Sequence, residues 1–390
     1  MAGVTLHILK YVFLCFACLL YCAVFVSVYQ KSDVNTLNRD LDLLSGQLIE
    51  TANILDNTAI QRRNITLLGY KINYIIKPED ICSSKGDNDS VLLMIVVHSA
   101  VGNRAQRDAI RNTWYRTIHH FTDVRIILIF LVGSDQDQGL MTNVVAEGTV
   151  YRDLVVFDMI DTYRNLSLKS LLGLHWVNEF CAETRFVLKV DDDVYVNLRT
   201  IIINLLYTGS ISENISQPDI KRNNRINTLC ESFAEIKDNL SFVKGHGLVG
   251  TVNRKSRVMR YGLWGIEHTE HPAVFYPDHC SGNMYLLNIT VVELLLKASY
   301  LYHDSSSVPV NENNSVSLSQ QMRFVPFEDV FVTGYLARNI GVTCYHHRGF
   351  PHWSDGVNKA NIVRLVKGQL LAIHNVYYLQ MYRIYKLIGG

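Results

Sequence analysis

The residues best suited to chemistry lie together in Phe186-Val187-Leu188-Lys189-Val190-Asp191-Asp192-Asp193-Val194-Tyr195-Val196-Asn197. An apolar, β-branched run reads as a buried strand, and this one stops at three adjacent carboxylates. Three like charges at the end of an apolar strand repel one another and are costly to desolvate. A hard divalent cation with oxygen ligands would neutralise them. Strand ends in open α/β sheets are also where ligands bind. A solvated acidic turn is the plainer reading, but such a turn needs no apolar frame on both sides.

A second group of charges follows an earlier strand. Arg104, Arg107 and Arg111 fall at i, i+3 and i+7, one face of a helix that begins after Asn103. A solvated basic stripe is the plainer reading, but directly after a strand end Arg107 and Arg111 could meet phosphates.

The elements that position these residues alternate. Val91 to Val97 is a continuous apolar run, as expected for a strand buried on both faces. Arg125 to Gly133 and Leu154 to Phe157 read as two more strands, and Ile160 to Phe180 as a long helix with Leu168, Leu171, Leu172 and Trp176 towards the core. Strand, helix, strand, helix and then the strand into the acidic run predict a mainly parallel α/β sheet flanked by helices. Later come a strand over Phe242 to Gly250, apolar Met284 to Leu287 with a helix to about Tyr302, and Phe327 to Val332 with a helix to Asn339 stopped by Gly341. The run Leu370-Leu371-Ala372-Ile373 ends in His374. Polar insertions are expected near 207–240 and 303–323. Neither an internal repeat nor a Gly-rich nucleotide signature is present.

The N-terminal part has a different character. Tyr11 to Tyr29 carries no charge, about the length that crosses a bilayer as a helix. A cleaved signal peptide is the rival reading, but no small-x-small cleavage site follows the run. Asn64, Asn88, Asn165, Asn214, Asn239, Asn288 and Asn313 each open an N-glycosylation triplet, and all lie after the span. The expected organisation is a cytosolic tail (1–10), a signal anchor (11–29), a luminal stem (30–88) and a catalytic domain (89–390), the single-pass type II arrangement. Leu37, Leu41, Leu44, Leu48 and Leu55 recur at near-heptad spacing in the stem, which leaves a homodimer through that segment open. Beyond the span, Cys82, Cys181, Cys230, Cys280 and Cys344 are odd in number, so at least one is unpaired or pairs with another chain. A net charge of +1 argues against a nucleic-acid partner.

Five motifs occur in the order seen in one family: Arg107-Asp108-Ala109-Ile110-Arg111-Asn112-Thr113-Trp114; Asp161-Thr162-Tyr163-Arg164-Asn165-Leu166-Ser167-Leu168-Lys169; Lys189 to Asp193; Tyr276-Pro277 with Cys280-Ser281-Gly282 and Tyr285; and Glu328-Asp329-Val330. The chain resembles the β-1,3-galactosyltransferase family, glycosyltransferase family 31, over roughly residues 90 to 350. The resemblance implies a GT-A, Rossmann-like fold, a Golgi membrane location, a manganese ion, a UDP-sugar donor and inversion at the anomeric carbon. It implies transfer of galactose or an N-acetylhexosamine in β-1,3 linkage to a glycan acceptor on glycoprotein or glycolipid. By position it makes Asp193 the metal ligand, with His374 completing the site, and sets Asp191 and Asp192 at the donor, with Arg107 and Arg111 as candidates for the donor site. Asp329 matches the family's general base, with Glu328 as the fallback. Capping of the following helix is a second role that Asp329 can fill. Trp264, Tyr276 and Gly282 mark the expected acceptor region.

Departures cluster near that region. Phe331-Val332-Thr333-Gly334 follows Glu-Asp-Val where relatives often carry aromatic-Val-Gly, and Asn283-Met284 follows Gly282 where a second small residue is usual. A catalytically silent luminal glycan-binding protein or chaperone of the same fold is the alternative. The intact Asp191-Asp192-Asp193 and Glu328-Asp329 argue against it. A metal-dependent phosphoester hydrolase fits the three carboxylates but not the other motifs.

Overall fold

The computed structural model describes residues 66–83, 90–212, 247–300 and 324–388. The predicted span at 11–29, most of the stem, most of the 207–240 insertion and all of the 303–323 insertion lie outside the described residues, as do Asn64, Asn88, Asn214, Asn239, Asn313 and Cys230. Among the described residues no helix is long and apolar enough to cross a membrane.

The described chain builds one eight-stranded sheet and two small two-stranded ones. The strands are β1 (Thr66–Leu67), β2 (Tyr70–Lys71), β3 (Tyr74–Ile76), β4 (Val91–His98), β5 (Arg125–Ser134), β6 (Leu154–Ile160), β7 (Phe186–Asp191), β8 (Tyr195–Val196), β9 (Leu248–Asn253), β10 (His279–Asn288), β11 (Tyr345–His346) and β12 (Ala372–Ile373). The large sheet runs β11-β9-β10-β7-β4-β5-β6-β3. Its centre, β7-β4-β5-β6, is parallel throughout. In the flanks β10 runs antiparallel to both β7 and β9, and β3 antiparallel to β6, while β11 pairs parallel with β9. The mainly parallel expectation therefore holds for the strands that carry the βα alternation, and the rest makes the sheet mixed.

All eight residues of β4 are buried, because helices cover both faces. The strand's two-residue period divides its side chains. Leu93, Ile95 and Val97 join one core with Ile110 and Trp114, which follow from α1 (Arg104–Asn112). Met94 and Val96 join the other with Leu171, Leu172 and Trp176 of α3 (Leu166–Phe180). The remaining helices are α2 (Gln138–Tyr151), α4 (Leu198–Ser212), α5 (Ile289–Tyr300), α6 (Ala337–Asn339), α7 (Lys359–Val366) and α8 (Tyr378–Leu387). A π-helix, Asp329–Leu336, runs directly into α6, and Gly341 at φ 71° ends the turn.

The folded part reaches further towards the N-terminus than the expected stem boundary at residue 88. A compact unit begins at Thr66. β3 pairs with β6 at the sheet edge, and a Cys82–Cys181 disulfide ties the segment to the end of α3. A second disulfide, Cys280–Cys344, joins the start of β10 to the segment entering β11.

Candidate active site

The site forms where β7 ends. In register, Asp191 lies opposite His98, the last residue of β4, and the Asp192 amide donates to His98 O at 3.1 Å. The chain then turns into β8, which pairs antiparallel with β12 so that Ile373 lies opposite Tyr195. The Val376 amide donates to Asp193 O at 2.7 Å. These pairings carry His374 to Asp193, with Nε2 3.5 Å from Oδ2, although the two residues are far apart in sequence.

The three aspartates have three environments. Asp192 is buried and accepts from Asn103 Nδ2 at 3.0 Å, so it anchors the loop after β4 rather than facing open space. Asp191 accepts from Lys189 Nζ at 2.5 Å. Asp193 is open on one side and pairs with His374. Burial, then the Asp191 charge, push the Asp193 carboxyl up to about 6, against the opposing pull of His374. A carboxylate held this close to neutrality is one that a bound cation would return to its charged form.

A carboxylate and an imidazole suit manganese, which takes oxygen and nitrogen ligands. Among the described residues no three His, Cys, Asp or Glu side chains gather to hold a metal by themselves. The Asp193–His374 pair could supply two protein ligands to such an ion. The buried His374 Nδ1 has no hydrogen-bond partner among the described residues, while the other ring nitrogen faces Asp193.

The second acidic pair comes from the start of the π-helix. Gly282 lets β10 run against it: a Cβ there would stand 3.2 Å from Asp329 Cβ and 3.3 Å from Glu328 Oε2. Thr333 fastens the two elements, its hydroxyl accepting from the Cys280 amide at 2.8 Å and donating to Asp329 O at 2.6 Å. The adjacent carboxylates then divide. Glu328 is buried, accepts the Tyr285 hydroxyl and lies 3.6 Å from Lys189 Nζ. Burial pushes it up to about 7, with Lys189 pulling the other way. Asp329 is partly open. Its Oδ1 accepts the Val330 amide at 2.8 Å, and Oδ2 lies 3.9 Å from His279 Nε2. Only Asp329 leaves an oxygen reachable by an incoming group.

Lys189 joins the two acidic pairs. Its buried ammonium donates to Asp191 and to Gly282 O and stands beside Glu328. The neighbouring carboxylates overcome burial and push it above its ordinary value. A lone lysine inside an apolar strand next to three aspartates is a readable sign of such a counter-ion. Lys169 plays a parallel part, donating to both Asp161 oxygens and to Ser99 O at 2.8 Å. Through it the Asp161–Lys169 motif supports the loop after β4.

Arg107 and Arg111 depart from their expected donor role. Arg107 is fully buried, and its five N–H donors reach Glu147 twice, Ser99 Oγ, Ala100 O and Val101 O. Arg111 bonds Asp153 through two nitrogens, Asp108 and Glu147. Arg107 and Arg111 share one helix face, and it meets Glu147 of α2 and Asp153 of the α2–β6 turn. Tyr276 is also enclosed, against His271, His279 and Phe327, with its hydroxyl unpartnered among the described residues. Trp264 is half exposed, and its indole N–H donates to the Tyr163 hydroxyl. Two sequon side chains serve the fold: Asn165 Nδ2 donates to Ile160 O at 2.9 Å, and Asn288 Oδ1 accepts the Val291 amide at 2.8 Å.

Residues 105–305 match the family model described as galactosyltransferase. The chain belongs to that family, the β-1,3-galactosyltransferase family its motifs resemble, and is a glycosyltransferase by membership. It is 31% identical to β-1,3-galactosyltransferase 4 of Mus musculus over 78% of this chain and 74% of the relative. It is 27% identical to β-1,3-galactosyltransferase 1 of Homo sapiens over 77% of this chain and 75% of the relative. Among solved structures, a glycosyltransferase involved in glycosylating the major capsid of PBCV-1 is similar at TM-score 0.34 and 13% identity, over 76% of this chain and 99% of that one.

Proposed function

We propose that this chain is an inverting hexosyltransferase of GT-A type that moves galactose or an N-acetylhexosamine from a UDP-sugar to a glycan hydroxyl in β-1,3 linkage. The observation that supports the reading is the acidic end of β7, with its Asp193–His374 pair, joined through Lys189 to the Glu328–Asp329 pair, of which Asp329 is partly open. Asp193 and His374 would hold manganese, which when bound offsets the charge developing on the leaving diphosphate. The acceptor hydroxyl oxygen attacks the anomeric carbon from the face opposite the diphosphate. As the new C–O bond forms, the bond to the phosphate oxygen breaks and its electron pair leaves with UDP. The hydroxyl proton passes to Asp329. Glu328, sealed between Tyr285 and Lys189, keeps the base's neighbourhood in place.

The reading includes a type II Golgi membrane protein with its catalytic part in the lumen, supported by the uncharged run 11–29 and the sequons after it. Glycosidase treatment of cell-expressed protein should increase gel mobility. An unchanged band refutes the luminal assignment. The activity itself is tested by offering UDP-sugars, manganese and a panel of glycan acceptors to the full chain. UDP release coupled to a β-1,3-linked product supports the transferase. Glycan binding with no UDP release from any donor supports the silent binding protein instead.

A further inference from the structure

β10 opens on a histidine that stands beside the partly open carboxylate. His279 is buried and lies opposite Asn253 of β9. Its Nδ1 is 2.8 Å from Pro277 O. A carbonyl oxygen only accepts, so Nδ1 carries the proton, and in the neutral ring Nε2 is left with a lone pair. Nε2 faces Asn253 Nδ2 at 3.5 Å and Asp329 Oδ2 at 3.9 Å. The π-helix is held against the same stretch of chain. Thr333 links Asp329 O to the amide of Cys280, the residue after His279. Gly334 allows the close approach: a Cβ there would stand 3.3 Å from His279 Cβ. The imidazole and the carboxylate are thus fixed towards each other from two elements.

Two acceptor atoms that face each other can share one proton. Asp329 Oδ1 is taken by the Val330 amide, so Oδ2 is the oxygen that meets Nε2. Among the described residues Asp329 is the only carboxylate within ion-pair distance of His279. The neighbouring Asp278 turns its Oδ1 to the Lys255 amide at 3.3 Å, and Tyr276 stands edge-on to the imidazole at 6.5 Å. The charges that reach Asp329 from its other sides are those of Glu328 and Lys189, with the phenols of Tyr163, Tyr276 and Tyr285. Glu328 is engaged with Tyr285, and Lys189 with Asp191. That leaves His279 as the neighbour able to take a proton from Asp329.

We propose, resting on the glycosyl-transfer reading, that His279 and Asp329 act as one base: the proton that Asp329 takes from the acceptor hydroxyl passes on to His279 Nε2. The acceptor O–H bond breaks as its proton bonds to the carboxylate. That new O–H bond then breaks as the proton bonds to Nε2, leaving an imidazolium beside the re-formed carboxylate. Release of the proton to solvent restores the pair. At 3.9 Å the two atoms stand about one ångström beyond a hydrogen bond, a gap of the kind that tightens when substrate binds. His279 touches no substrate and works only through Asp329, so it is a positioning residue. Transfer by the full chain in detergent is followed across pH with manganese, UDP-galactose, UDP-N-acetylglucosamine or UDP-N-acetylgalactosamine, and the same panel of glycan acceptors. Wild type is compared with His279→Asn and His279→Gln. The Asn amide can still donate to Pro277 O, and the Gln amide still fills the space beside Asp329, but neither takes up a proton. Both variants should lower kcat about tenfold to a hundredfold, less than loss of the base itself, with KM for donor and acceptor within about twofold of wild type. The acid limb of the kcat profile should move to lower pH, because a carboxylate alone takes its proton at lower pH than a carboxylate–imidazole pair. In the Asp329→Asn background, His279→Gln should cause no further loss. UDP affinity in manganese should be unchanged in both single variants. Wild-type kcat with an unmoved acid limb in both overturns the relay and leaves glycosyl transfer standing. So does an equal loss from His279→Gln with and without Asp329, or a loss of UDP affinity that matches the loss of kcat. No transfer by wild type from any of the donors overturns the glycosyl-transfer reading and the relay with it.

Discussion

Two charge clusters flank the end of β4, and they are built on opposite terms. On one side Arg107 and Arg111 meet Glu147, Asp153 and Asp108, with nearly every donor used and Glu147 fully enclosed. On the other, Asp191, Asp192, Asp193, Glu328 and Asp329 crowd together, and among the described residues Lys189 is the only lysine or arginine that forms an ion pair with them. A compensated cluster has no capacity left for a ligand and serves to fix the loop after β4. An under-compensated one stays poised for a cation and for a proton. Charge that is balanced builds the fold here, and charge that is not marks the chemistry.

That contrast can be broken by substitution. The largest effect is expected from Asp193→Ala, which should abolish transfer while the protein stays folded and secreted, because it removes the proposed cation ligand and a repelled carboxylate rather than a core contact. Activity retained with unchanged manganese dependence would move the ligand role elsewhere. Asp329→Asn should reduce turnover by about 10²–10⁴-fold, the usual range of general-base catalysis, and still bind UDP-sugar. Asn is nearly isosteric, and its side-chain oxygen can still accept the Val330 amide, so the fold is spared. Glu328→Gln is the paired control: a large loss there beside a small one at Asp329 would reverse the two roles.

The compensated cluster should respond in the opposite currency. Glu147→Ala leaves the fully buried Arg107 guanidinium without a carboxylate partner and should lower stability by about 3–5 kcal/mol, read as a lower denaturant midpoint. A midpoint within error of wild type would mean that the cluster is not what holds the β4 loop.

The smallest expected effect is a pH dependence of stability in metal-free protein. Glu328 rises from 4.5 to about 7 and Asp193 from 3.8 to about 6 on folding. Between each pair of values the native state binds more protons than the unfolded one, so stability falls as pH rises from about 4 to about 7. Glu328→Gln should flatten that decline in urea midpoints across the range. A slope unchanged by the substitution would show that Glu328 does not titrate there.

What could be read without the structure follows from physical range. The triple Asp and its strand were legible because a continuous apolar run and its abrupt end are local signals. The βα alternation was legible for the same reason. The arginine stripe was legible as a face, but periodicity does not say what a face meets, and Glu147 comes from another helix. β3 has three residues at a sheet edge, too few for any period to register, so the folded unit seemed to start later than it does. The choice between Glu328 and Asp329 needed Tyr285, Lys189 and Gly282 in place around them. Trp264 and Tyr163 are joined only by the way the β9–β10 connection folds back.

The most direct test is a calorimetric titration of manganese into the full chain with UDP present. Saturable binding in wild type, lost in Asp193→Ala and preserved in Asp329→Asn, is the predicted result. Binding of undiminished affinity in Asp193→Ala, or none in wild type, would contradict the assignment of the acidic end of β7 as the reacting centre.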